Sequence, residues 1–341
     1  MLIVSSLMNA LCPDSAVSVL TSFAIDGSLR GDLLSVPYAP SPISCHSHND
    51  YWRVRPFHSA IELGCTSVEA DVWLEEGDLL VGHTRSSLLS TRTLRSMYLE
   101  PVQEILDRRN QRSDTLPLHG IYESDATRSL VLLVDFKGNG EAIWPVLHQQ
   151  LQPLRDRNYL AFFNGTAVTE GPVTIVASGD VSFRDVIHNS THRDVFYDAP
   201  LELMDYRAPA SLKFDLEPAL PVDLAMDQAL PLRRPVNPAV YSTANSYYAS
   251  VSFTRSIGYP WGSQLTLAQV DLIRTQVRGA HERGLKVRYW DVPVWPLGVR
   301  NYLWRVLVRE GVDYLSVDDI RAAVRGDWGP RKGGWYRKWW T

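Results

Sequence analysis

Apolar and polar positions alternate with most regularity at Val68, Ala70, Val72 and Leu74, which interleave with Glu69, Asp71 and Trp73. This is the period of a β-strand, and it puts Glu69 and Asp71 on one face, two residues apart. Similar patterning predicts strands over 43–48, 67–74, 130–137, 173–177, 195–197, 248–253, 286–290 and 314–317. The run Leu130-Val-Leu-Leu-Val-Asp135-Phe-Lys137 is apolar on both faces, as a strand covered on both sides requires. Helical spacing predicts helices over 56–64, 93–110, 139–155, 182–188, 265–283 and 301–309. Gly284 and Gly311 punctuate the last two, and Glu76-Gly77-Asp78 reads as a turn that sends a short strand back.

Strands and helices therefore alternate, with about eight strand candidates, which is the layout of a parallel α/β domain. Periodicity alone fits a barrel or a doubly wound sheet. Polar residues recur where the strands end: His48, Asp71, Asp135 with Lys137, Asp198, Asp291 and Asp318. In a barrel, such residues gather on the face that carries active sites.

Two carboxylates on one strand face repel each other unless a cation lies between them. A strand-helix-strand unit returns the second strand beside the first, so His48 meets Glu69 and Asp71 at one rim. The turn at 76–78 brings His83 toward the same rim. Two histidines flanking carboxylates suit metal-assisted acid/base chemistry. His46 competes with His48, since both have the same strand parity.

The remaining composition narrows the class. The chain has 341 residues, 45% of them hydrophobic, and a net charge of −4, which gives no basic footprint for nucleic acid. Its three cysteines, Cys12, Cys45 and Cys65, form no disulfide framework; Cys45 and Cys65 stand in or beside neighbouring predicted strands and are expected to be buried free thiols. Asn164-Gly-Thr166 and Asn189-Ser-Thr191 match the glycosylation acceptor pattern, which also arises by chance. Residues 1–40 read as a poorly determined leader without a positively charged start, and no run of 18 apolar residues occurs. Residues 200–240, rich in proline and carrying Lys213, Asp215 and Glu217, read as a long loop insertion. The tail over 326–341 mixes Trp335, Arg337, Lys338, Trp339 and Trp340, a composition suited to packing under the barrel or to a peripheral membrane contact.

The segments HSHNDYWR (46–53), GCTSVEADVWL (64–74), LLVGH (79–83), LVDFKG (133–138), YDAPL (197–201), VRYWDVP (287–293) and GVDYLSVDD (311–319) resemble the phospholipase-C-like phosphodiesterases, the superfamily of glycerophosphodiester phosphodiesterases and sphingomyelinases D. Within it, the chain resembles most the fungal family named altered inheritance of mitochondria protein 6. The resemblance implies a single parallel (β/α)8 TIM-type barrel over 41–325. It implies one magnesium ion (Mg2+) on Glu69, Asp71 and Asp135, with His48 and His83 as the catalytic pair. Of these, His83 is expected to be the leaving-group acid and His48 the nucleophile, while His46→Ala is expected to turn over nearly normally. Lys137 would contact phosphate and Trp290 the substrate at the barrel mouth; a plain ion pair for Lys137 and core packing for Trp290 are the alternatives.

The implied activity is phosphoric diester hydrolysis of a glycerophosphodiester or phospholipid-derived substrate. A silent binding protein on the same barrel, or a lyase forming a cyclic phosphate, are the rival readings. No cysteine-bridged loop follows His83, so the substrate preference of the venom sphingomyelinases is not carried over. The family name suggests a mitochondrial connection, but no Arg-rich, acid-poor presequence is found, and the compartment stays open.

Overall fold

The computed structural model describes residues 43–111, 118–204 and 237–326. The expected leader, most of the 200–240 insertion and the aromatic tail from 327 onward lie outside the described residues.

The strands are β1 (Ile43–Ser47), β2 (Cys65–Glu75), β3 (Asp78–Val81), β4 (Leu130–Phe136), β5 (Val173–Gly179), β6 (Val195–Pro200), β7 (Ser246–Ser252), β8 (Lys286–Trp290) and β9 (Tyr314–Val317). Among the described residues, the α-helices longer than a single turn are α1 (His58–Glu62), α2 (Glu100–Asn110), α3 (Gly140–Gln150), α4 (Phe183–Ile187), α5 (Leu267–His281), α6 (Leu297–Arg309) and α7 (Ile320–Arg325). The strands pair in parallel in the order β1-β9-β8-β7-β6-β5-β4-β2, and β2 returns to β1. That closure makes an eight-stranded parallel barrel. Among the described residues, β3 is the one antiparallel strand of this sheet, hairpinned onto the upper end of β2, and Phe162–Phe163 and Val168–Thr169 form a separate two-stranded antiparallel hairpin.

Alternation along each strand divides the apolar residues into two cores. On β4, Leu130, Leu132, Val134 and Phe136 face outward into the layer between strands and helices. Val131 and Leu133 face the barrel axis, where they pack with Val176, Tyr248 and Tyr314. Burying each such side chain stabilises the fold by about 1.5–3 kcal/mol. Helix α5 shows how the outer layer is specified. Thr266 and Gln269 cap its start reciprocally, and Val270, Ile273, Val277 and Ala280 present one buried stripe.

Several elements differ from the pattern reading. Strand β2 is longer at both ends, because its upper end continues into the β3 hairpin. Helix α1 is shorter, since the Phe57 amide is held by the buried Asp50 carboxylate and Phe57 takes a non-helical conformation before it. A terminal helix, α7, follows the last strand, capped by the Asp319 side chain accepting from the Ala322 amide. Pro101 occupies the first turn of α2, where its missing N–H costs nothing. The expectation of free thiols is overturned: Cys45 and Cys65 form a disulfide. Their strands are barrel neighbours, which brings the Cα atoms to 4.8 Å, within bridging range. Among the described residues, no helix is long and apolar enough to cross a membrane.

Candidate active site

The parallel register sets Asp71 of β2 directly beside Asp135 of β4, and alternation places Glu69 one step lower on the same inner face. One oxygen from each of the three carboxylates lies within 4.8 Å of the others. Glu69 and Asp71 are buried, and Asp135 is partly so. Burial pushes the Asp135 carboxyl up, and Asp71 and Glu69 add to this against Lys137, for a value of about 6. The Lys137 ammonium lies 3.1 Å from Asp71 Oδ2 and donates to Asp135 Oδ2. It leaves Asp71 Oδ1 buried with no hydrogen-bond partner. An unpartnered anionic oxygen facing two further carboxylates is the donor set of a hard divalent cation. Gly179 is required here, because any Cβ at that position would collide with Asp135 Oδ1 and the Phe136 backbone.

The two rim histidines are held alike. His48 follows the end of β1, and its Nδ1 lies 2.8 Å from Asp318 Oδ1 at the end of β9. His83 follows β3, and its Nδ1 lies 3.2 Å from Asp71 Oδ2. Tyr51 donates to Asp71 Oδ2 at 2.8 Å, and its hydroxyl lies 3.2 Å from His83 Nδ1. Among the described residues, neither Nε2 makes a hydrogen bond, so each ring is anchored through Nδ1 with its second nitrogen available for proton transfer. Burial works against charge on His48, but the carboxylates of Glu69 and Asp318 outweigh it and push the ring up to about 9.

His46 is placed quite differently. It is fully buried inside the barrel, with Nε2 2.8 Å from Glu69 Oε2 and Nδ1 2.7 Å from Ser67 Oγ. Burial, aided by the Arg288 charge, lowers its pKa to about 4, so it is neutral at neutral pH. Tyr248 donates to Ser67 Oγ, which frees the serine proton for His46 Nδ1. The remaining ring proton then sits on Nε2 and is donated to Glu69. Burial pushes the Glu69 carboxyl up, but the His48 charge and this His46 bond hold it below the usual carboxylate range.

Arg288 completes the floor. Its guanidinium is buried on the inner face of β8, 3.7 Å from Glu69 Oε2 and 3.2 Å from Asp198 Oδ2. It also donates to Ser250 Oγ at 3.1 Å. Trp290 shares this parity and lies one step higher, at the mouth, 36% exposed. The motif around His48 is largely a buried knot. Asp50 accepts from Ser47 Oγ, the Phe57 amide and Tyr98, while Arg53 donates to the carbonyls of Val317 and Asp318.

The structure thus brings His48, Glu69, Asp71, His83, Asp135 and Lys137 to one rim. The pattern reading missed Tyr51, Ser67 and Arg288. All three stand within the segments that carry the resemblance, and Arg288 has the parity of Trp290, a signal that was available. Asp198, expected at a strand end, lies within β6 and holds Arg288.

A family profile described as an AIM6-like phosphodiesterase domain matches residues 38–198. The altered inheritance of mitochondria protein 6 homolog of Arthroderma benhamiae is 36% identical over 292 residues, covering 83% of each chain. The altered inheritance of mitochondria protein 6 of Eremothecium gossypii is 32% identical over 287 residues, 82% of this chain and 68% of that protein. A glycerophosphodiester phosphodiesterase structure from Parabacteroides distasonis aligns with a TM-score of 0.41 at 13% identity, over 84% of this chain and 98% of that one. The barrel itself is established by the strand pairings of this chain.

Proposed function

The chain belongs to the altered inheritance of mitochondria protein 6 family, and from that footing we propose that it is a phosphodiesterase, a phosphoric diester hydrolase working with one magnesium ion and two histidines. The observation that carries this reading is the meeting of three carboxylate oxygens within 4.8 Å at the rim where His48 and His83 are each anchored through Nδ1. Glu69, Asp71 and Asp135 would hold the cation. When bound, it would stabilise negative charge on phosphate oxygens.

The chain's own residues supply the rest. Lys137 is within reach of a phosphate bound over Asp71 and Asp135, and exchanging carboxylate for phosphate keeps its charge paired. His83 donates a proton to the departing alkoxide through Nε2, since its Nδ1 is fixed by Asp71. His48 acts on phosphorus or on water from the other side of the acids, oriented by Asp318. A neutral His48 requires compensation of the negative charge that now holds its proton, so occupancy of the acidic cluster and the state of His48 are coupled.

For the substrate we favour a phospholipid-derived head-group diester. Of the ten large hydrophobic residues that are exposed among the described ones, eight lie at or just beyond the tops of β1, β7 and β8, five on the connecting segments, Trp290 at the end of β8, and Leu267 and Leu297 at the starts of α5 and α6. They include Trp52, Tyr259, Val294, Trp295 and Leu297. These strands flank β9 on one side of the mouth. An aromatic and aliphatic half-rim beside a phosphodiester site suits a lipid surface. The test is turnover of a phosphodiester panel, soluble and lipid, with magnesium and with chelator. Metal-dependent turnover supports the reading, and phosphorus NMR of the product separates hydrolysis from cyclisation. A folded chain that cleaves no diester in the presence of metal contradicts it.

A further inference from the structure

Both glycosylation acceptor triplets lie at the end of the barrel opposite the catalytic mouth. Asn164 lies in the two-stranded hairpin of Phe162–Phe163 and Val168–Thr169, which feeds the bottom of β5. Asn189 lies in the loop that feeds the bottom of β6. The two are spatial neighbours, because Phe163 and Arg193 form an antiparallel bridge and Phe162 packs on His192.

The triplets have the same conformation. Asn164 Oδ1 accepts from the Thr166 amide at 3.0 Å and from the Thr166 hydroxyl at 2.8 Å. Asn189 Oδ1 accepts from the Thr191 amide at 2.9 Å and from the Thr191 hydroxyl at 3.0 Å. Asn164, Thr166, Asn189 and Thr191 are all exposed. In each triplet the oxygen is occupied, while no hydrogen bond among the described residues engages Nδ2. That nitrogen is the atom a glycan would join. The disulfide between Cys45 and Cys65 is independent of these loops and points to the same chemical environment, since such bonds persist in oxidising compartments.

We propose that Asn164 and Asn189 carry N-linked glycans and that the chain folds in an oxidising, glycosylating compartment. In the step, Asn Nδ2 forms a bond to the anomeric carbon of a lipid-diphosphate-linked oligosaccharide. The lipid diphosphate departs with the electron pair of the broken glycosidic bond, and the amide loses one proton. Glycans on this end leave the mouth and its apolar half-rim clear.

Peptide mapping of the full chain isolated from its own cells tests this, with enzymatic deglycosylation in 18O-water converting each occupied asparagine to labelled aspartate. Label is expected at both positions, together with a Cys45–Cys65 disulfide peptide. The full chain directed through a yeast secretory pathway should lose one glycan mass in Thr166→Ala, one in Thr191→Ala and both in the double variant. The Thr variants keep each asparagine, so they remain informative should Asn164→Gln fail to fold. Unmodified asparagine at both positions in the natural protein, or in the secreted, folded chain, would overturn the proposal.

Discussion

His46 Nε2 lies 2.8 Å from Glu69 Oε2, and both groups are buried beneath the rim. The ring therefore touches the acidic cluster from below, where it would orient the Glu69 carboxylate. From this placement a loss of turnover is predicted for His46→Ala, where the sequence alone led to an expectation of nearly normal turnover. Partners behind a metal ligand are worth roughly 10- to 100-fold in metal affinity or activity. His46→Ala should lose magnesium affinity and turnover by about that factor, and His46→Gln should lose less, because it can still donate to Glu69. Calorimetric titration with magnesium checks this. Wild-type affinity in His46→Ala would remove the orienting role.

Asp318 offers a complementary test of the rim. Asp318→Asn removes the anionic partner of His48 Nδ1 while leaving the three carboxylates in place. Activity should fall about 100-fold, within the range typical of a lost acid/base contribution, with magnesium affinity little changed. His48→Ala and His83→Ala should fall at least as far, and their effects should not add. A nitrophenyl diester, whose leaving group needs little protonation, should rescue the variant that lacks the acid. The account expects that variant to be His83→Ala; rescue of His48→Ala instead would exchange the two roles.

The apolar half-rim makes a separable prediction. Replacing Trp295 and Leu297 together by alanine should leave turnover of a soluble diester intact while weakening binding to phospholipid vesicles about tenfold or more. Vesicle sedimentation checks it, and undiminished binding would point to another surface, such as the aromatic tail.

Acid stability should depend on Asp194, far from the mouth. Burial pushes its carboxyl up, but the Arg155 guanidinium, donating to both carboxylate oxygens at 2.5 and 3.2 Å, holds it below the ordinary 3.8. A carboxylate depressed in the folded state contributes stability that is present above its unfolded pKa and is lost as pH falls through the folded one. Asp194→Asn should cost about 2 kcal/mol at pH 7. It should also flatten the fall of Tm below about pH 4. An unchanged acid limb in thermal melts would show that the pair contributes nothing.

The regular parts of this molecule were legible because they are written locally. The alternation at 68–74 placed Glu69 and Asp71 on one face, and the ends of β8 and β9 coincide with those the pattern predicts. What the pattern could not reveal depends on closure of the barrel. Arg288 meets His46 and Glu69 only because β8 and β1 both border β9. Parity likewise put His46 and His48 on one face, but β1 ends at Ser47, so one ring stays inside and the other reaches the rim. The disulfide was missed for another reason: adjacency of β1 and β2 was legible, but the register that sets the Cys45 and Cys65 Cα atoms 4.8 Å apart was not. Asp50, within the HSHNDYWR segment, carries no sign in the pattern of its place at the centre of a buried hydrogen-bond knot.

The central claim is that Glu69, Asp71 and Asp135 form a seat for a single divalent cation. Magnesium titration by calorimetry, run on the wild type, Glu69→Gln and Asp71→Asn, tests it most directly. The account predicts one ion per chain in the wild type and little or no binding in either variant. Both variants should stay folded, with metal-free Tm equal to or above that of the wild type, because mutual repulsion of the carboxylates is relieved. Undiminished magnesium binding in both variants would contradict the account.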